Sequence, residues 1–174
     1  CGGRERRARE ANDFLAREIE KRPDRYYGFA HLPMQDARAA ADELERCQRE
    51  LKFCGAMING HTNGQYLDHP SLQPFWDRAQ ALGAAIYIHP TDPVTPSRAL
   101  DGHTGLRRAT WEWGFETGSH ALRLVFGGLL DRHLFHRAEH EYRAKCVGEL
   151  VDLGFEQPAR FRACLLYTSP SPRD

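Results

Sequence analysis

Residues 53–64 read FCGAMINGHTNG, and residues 84–90 read AAIYIHP. In each, a short unbroken apolar run ends in polar residues that include histidine or asparagine. Such runs, four to eight residues long and bounded by turn signals, fit strands buried on both faces. Asn59-Gly60 and Asn63-Gly64 are the turn dipeptides that close the first. A third run, residues 26–32 (YYGFAHL), is aromatic-rich and stops at Pro33.

The three runs begin at Tyr26, Phe53 and Ala84, and each interval between them holds a helical pattern. In the first, Asp36 is placed as an N-cap, and Ala37, Ala40, Ala41, Leu44, Cys47 and Leu51 make one apolar stripe. In the second, Leu72, Phe75, Trp76, Ala79 and Leu82 keep helical spacing, with Pro74 in the first turn and Gly83 at the stop. Upstream, Asn12 or Asp13 caps a helix carrying Phe14, Leu15 and Ile19, which Pro23 ends. Strand and helix alternation with doubly apolar strands predicts an α/β fold with parallel strands. Its functional face lies at the strand C-termini. The loops there are the longer ones, and they carry His and Asn.

Beyond residue 90 the alternation fades. Residues 91–108 form a long loop rich in Pro, Gly and Asp. Residues 110–130 follow as a helical region, in which Trp111, Trp113, Phe115, Leu122, Leu124, Val125, Phe126 and Leu129 predict heavy burial. A strand is then due. Instead, residues 133–153 read as a further amphipathic helix (Leu134, Ala138, Tyr142, Cys146, Leu150, Leu153).

Composition excludes several classes. Among 174 residues, 24 Lys and Arg balance 24 Asp and Glu, so no bulk basic field attracts nucleic acid or anionic lipid. No apolar run approaches the roughly 20 residues of a membrane span. Five cysteines without a CxxC pair suggest reduced thiols in a cytoplasmic protein. The start at Cys1 lacks Met and the layout of a signal peptide, and reads as a cut end. The last eleven residues, 164–174 (CLLYTSPSPRD), continue no earlier pattern. One frame of a common transposase sequencing adapter encodes them residue for residue, so they are expected to be a translated adapter outside the fold.

His89 ends the third run at the rim of the sheet, a placement that suits a metal ligand, although a lone strand-end histidine reads first as a hydrogen-bonded loop residue. Asn59 and His61 leave the second run on the same rim, where they fit substrate contacts or plain turn chemistry. His31, near the end of the first run, is similarly placed and reads first as a satisfied core or rim histidine. His120 lies among apolar neighbours and reads as helix packing. His133, His136 and His140 share a helical face without a carboxylate motif, which favours solvation. No Walker, GxGxxG or GxSxG motif is present.

Several stretches together resemble the amidohydrolase-related metal-dependent decarboxylases, the group acting on 2,6-dihydroxybenzoate (gamma-resorcylate) and aminocarboxymuconate semialdehyde. They are ANDFLA (residues 11–16), PDRYYGFAHLP (23–33), AMINGHTNGQYLDHP (56–70), PFWDRAQALG (74–83), YIHP (87–90) and HALRLVFGGLLDRH (120–133). The resemblance implies a partial TIM (β/α)8 barrel over residues 8–133, with the three runs as about its third to fifth strands. A complete barrel is typically about 250 residues. By the same resemblance, His89 matches the family's fifth-strand metal ligand, and Asn59, His61 and His31 line the substrate side. The implied cofactor is Zn or Mn, and the implied substrate a small aromatic carboxylic acid in a homo-oligomeric parent.

The departures are as informative. The family's first-strand Glu-x-His or His-x-His pair, its Gly-His-x-Gly motif and its late-strand Asp, the expected proton donor, are absent, so no catalytic acid is assigned. Residues 134–163, a helical segment of uncertain origin, replace the expected continuation. The chain as written is therefore expected to be an inactive fragment. A hydrolase or hydratase of the same superfamily, and a non-catalytic interaction protein, are the alternative readings.

Overall fold

The computed structural model describes residues 2–132. Its elements are α1 (Gly2–Glu20), β1 (Phe29–Ala30), α2 (Ala37–Arg49), β2 (Gly55–Asn59), α3 (Gln73–Leu82), β3 (Ala85–His89), α4 (Glu112–Phe126) and the short α5 (Leu129–Arg132). The amphipathic segment expected over residues 133–153 and the tail at 164–174 lie outside the described residues.

Helices α2 and α3 form as their end signals dictate. The Asp36 carboxylate accepts from the backbone N–H groups of Arg38 and Ala39, both at 3.0 Å. These bonds satisfy two of the orphan donors of α2. Pro74 sits in the first turn of α3, and Gly83 ends it in the left-handed region at φ 60°. The stripe Ala40, Ala41, Leu44 and Cys47 is buried, and so are Phe75, Trp76 and Ala79 facing it. The fully buried Leu44 and Phe75 each contribute about 2–3 kcal/mol of apolar transfer energy.

The strands form one parallel sheet in the order β1-β2-β3. In the β2–β3 ladder Gly55 pairs with Ala85 and Asn59 with His89. Side chains alternate across the sheet. Ala30, Ala56, Ile58 and Ile88 join the core cluster with the helices. The other face carries Phe29, Gly55, Met57, Asn59, Ala85, Tyr87 and His89, and here Phe29 and Met57 are each 39% exposed. The runs that read as doubly buried are thus covered by helices on one side only, among the described residues.

Three local expectations are corrected. The first run is a strand only at Phe29–Ala30, and Tyr26 and Tyr27 are exposed. Pairing begins late, where Cys54 N–H donates to the Gly28 carbonyl at 2.9 Å. It ends early because Asn12 takes over the ladder: His31 N–H donates to Asn12 Oδ1 at 2.8 Å, and Asn12 Nδ2 donates to the His31 carbonyl at 2.9 Å. Asn12 is accordingly no N-cap but a buried residue in the interior of α1. The third correction concerns α4, where Trp111 at its cap, Phe115, Leu122 and Phe126 are exposed, while the buried face is Glu112, Glu116, His120, Ala121 and Leu124.

The close β2–β3 approach requires glycine at position 55, where a Cβ would lie 1.9 Å from the Ala85 carbonyl oxygen. The obstacle is backbone, which cannot rotate away. Gly55→Ala is expected to lower stability by at least about 2 kcal/mol in urea unfolding, the upper part of the overpacking range.

Candidate functional site

The C-terminal ends of the strands bring His31, Asn59 and His89 onto one rim. Asn59 and His89 are register partners at the last positions of β2 and β3, on the open face of the sheet. His31 follows β1 directly and is exposed, with its backbone held by Asn12. That hold is itself anchored: Asn12 Nδ2 also donates to Glu43 Oε1 at 2.8 Å, and Arg46 forks onto Glu43 and Asp13. Burial pushes the Glu43 carboxyl upward, but the hydrogen bonds from Arg46 and Asn12 outweigh it and leave the pKa lowered.

His89 has a defined tautomer. Its Nδ1 lies 2.7 Å from the Pro90 carbonyl oxygen. That oxygen can only accept, so Nδ1 carries the proton and the Nε2 lone pair faces away from the bond. Metal-ligating histidines are commonly oriented by such a carbonyl. The Tyr87 ring meets the imidazole edge-on at 6.0 Å.

His61 is engaged differently. Its Nδ1 accepts from Gly64 N–H at 3.3 Å. The protonated nitrogen is therefore Nε2, which donates to the Asp92 carbonyl at 3.2 Å. A neutral imidazole has one donor and one acceptor, and both are used. The side chain thereby ties the loop after β2 to the loop after β3. Glycine at position 60 permits that approach, with φ at +53° and the Thr91 methyl 2.3 Å from where a Cβ would stand.

Sequence reasoning missed the groups behind this rim. Tyr66 donates to Glu116 Oε1 at 2.5 Å. His120 Nε2 accepts from Leu67 N–H at 2.9 Å, and Arg123 donates to both Asp68 oxygens at 3.1 and 2.9 Å. Trp113 donates to Asp92 Oδ1 at 2.6 Å. The available signal was the helical repeat of Glu112, Glu116 and His120, which puts three polar groups on the buried side of an apolar helix.

Burial lowers the His120 pKa to about 4, opposed by the Asp68 carboxylate and assisted by the Arg123 guanidinium. Burial and the bond to Glu116 raise that of Tyr66. Cys47 is pushed up to about 12 by burial beside Glu43 and is an unreactive thiol.

His89 fits one position of a metal centre. Among the described residues, however, no group of three or more His, Cys, Asp or Glu is gathered closely enough to hold a metal ion. No helix of the described residues is long and apolar enough to cross a membrane.

Residues 4–134 match the family model described as Amidohydrolase, and the chain belongs to that family. Within it, the chain is similar to the gamma-resorcylate decarboxylase of Polaromonas sp. (strain JS666), 47% identical over 133 residues that cover 72% of this chain and 41% of that protein. Its fold is similar to that of 2,6-dihydroxybenzoate decarboxylase complexed with 2,6-dihydroxybenzoate, at TM-score 0.68 and 47% identity over 74% of this chain and 42% of the other. It is also similar to the Polaromonas dihydroxybenzoic acid decarboxylase with bound manganese and 2-nitroresorcinol, at TM-score 0.70 and 47% identity over 75% and 42%. The chain spans about two fifths of the length of these relatives.

The His120 shift sets a pH dependence. The unfolded imidazole, with an ordinary pKa of 6.5, binds a proton before the folded one does, so stability is full above pH 6.5 and falls as pH drops towards 4. This contribution is on the order of 3 kcal/mol. Urea unfolding at pH 7 and pH 4.5 is expected to show it in the wild type, with a smaller difference in His120→Gln.

Proposed function

We infer that the chain is part of a metal-dependent, non-oxidative decarboxylase of hydroxylated aromatic acids. It forms an arc of a (β/α)8 barrel over residues 8–133, whose open sheet face belongs to the barrel interior. The observation that carries this reading is His89. It stands at a strand C-terminus, its Nδ1–H is committed to a backbone carbonyl, and its Nε2 lone pair remains available. The similarity to decarboxylases whose structures hold manganese and 2,6-dihydroxybenzoate supports the same assignment.

In the whole protein His89 would be one ligand of Zn or Mn, which when bound supplies a positive charge for the substrate's carboxylate and neighbouring oxygen. Asn59 and His31 would meet the substrate from the adjacent strand ends through hydrogen bonds to its oxygens. His61 would border the same space, held by its two backbone partners. With one ligand and no assigned proton donor, the 174-residue chain alone is inactive on this reading.

The test is a chimera in which residues 4–134 replace the matching segment of the Polaromonas enzyme. With manganese it is expected to release CO2 from 2,6-dihydroxybenzoate, and His89→Ala in that chimera to lose the metal and at least roughly 100-fold in rate. A folded chimera that releases no CO2, or one that keeps its metal after His89→Ala, would contradict the assignment.

A further inference from the structure

Helix α4 contributes no residue to the rim, yet it touches both loops that form it. Near its start, Trp113 Nε1–H donates to Asp92 Oδ1 at 2.6 Å, in the loop that follows His89. One turn later, Glu116 takes the Tyr66 hydroxyl at 2.5 Å. His120 accepts from Leu67 N–H at 2.9 Å, and Arg123 forks onto the Asp68 carboxylate. Tyr66, Leu67 and Asp68, consecutive in the β2–α3 connection, are therefore each held by a different side chain from one helix face. The Leu67 carbonyl is also taken, by Trp76 Nε1–H at 2.8 Å.

The Tyr66 ring is the meeting point of these contacts. The His120 imidazole lies edge-on to it at 4.9 Å, and the Arg123 guanidinium sits 4.5 Å from its centroid in cation–π geometry. The His61 ring packs against it, also edge-on, at 5.7 Å. Between them, residues 62–65 close a tight turn through reciprocal backbone bonds between Thr62 and Gln65 at 2.9 and 3.0 Å. His61 then returns to Asp92 through Nε2. The contacts form a closed circuit: α4, Tyr66, His61, Asp92, and back to α4 through Trp113.

We propose that α4 is a brace for the rim, and that Tyr66 and His120 are positioning residues that fix His61 between the two strand-end loops. This rests on the reading of His61 as a rim group. Its physical basis is the difference between the two ends of the circuit. His61 and Asp92 meet in water through a single long bond, which is weak by itself. Tyr66, Leu67 and Asp68 meet α4 through bonds that include a fully buried one at Leu67 and charge-assisted ones at Tyr66 and Asp68. The buried end is the one that resists opening, so the exposed end inherits its position from it. Neutral His120 is needed because only its bare Nε2 can accept from Leu67 N–H.

The test is amide hydrogen exchange and proton NMR on the 174-residue chain at pH 7. In His120→Leu, Leu67 loses its acceptor. Exchange at Leu67 and at Gly64, whose N–H donates to His61, is expected to rise at least ~10-fold, with loss of the contact between the His61 ring and Asp92. The sheet amides of Ile58 and Ile88 keep their protection. His120→Gln, which can again present an acceptor at the same reach, is expected to restore Gly64 and the His61 contact. Should His120→Leu not fold, Tyr66→Phe decides, since it deletes one hydroxyl and is expected to raise Gly64 exchange several-fold. Unchanged Gly64 exchange with the His61 contact intact, in a variant where Leu67 is freed or the Tyr66 hydroxyl removed, would overturn the proposal. Failure of His120→Gln to restore them would do the same. No metal or substrate enters these readouts, so they fail or succeed independently of CO2 release by the chimera.

Discussion

The parallel register between β2 and β3 is the constraint on which the rest depends. Its pairs run from Gly55 opposite Ala85 to Asn59 opposite His89. A slip by one residue would turn every side chain to the other face. If β2 slipped, Ile58 would leave the helices and Asn59 would enter the core; if β3 slipped, Ile88 would leave and His89 would enter. Burial of the isoleucines on α2 and α3 therefore fixes, on the opposite face, which polar groups appear at the rim. The backbone approach at Gly55 locks the same register from the other end of the strand.

Much of this was legible. The stripe of α2, the Asp36 cap, Pro74 and Gly83 around α3, and the run into His89 all act over a few residues, and local physics alone sets them. The fate of residues 26–32 was not legible, because it turns on a side chain far back in α1. Asn12 reads as a cap by type, but its amide offers one donor side and one acceptor side, as a neighbouring strand does. It therefore ends the ladder at His31. The α4 aromatics misled for a related reason. Trp111, Phe115, Leu122 and Phe126 satisfy helical periodicity, and periodicity does not say which face the neighbours cover.

The site divides the same way. His89 and Asn59 stand at strand ends and could be placed from sequence. The partners of Glu116, His120 and Arg123 could not, because each lies on a distant stretch of chain, as with Tyr66 and Glu116 or Asp68 and Arg123. A polar residue on the buried face of an apolar helix signals that a partner exists without naming it. In this chain those partners belong to the loop that carries His61, which links the packing of α4 to the chemistry of the rim.

The proposed metal position depends on the state of one imidazole. The Nδ1–H form that Pro90 imposes on His89 is the less common tautomer of a free histidine, so it is diagnostic. Two-bond proton–nitrogen correlation of the His89 ring at pH 8 measures it directly. A protonated Nδ1 with a bare Nε2 is the predicted result. A ring protonated at Nε2 would contradict the account, because the nitrogen assigned to the metal would then carry a proton.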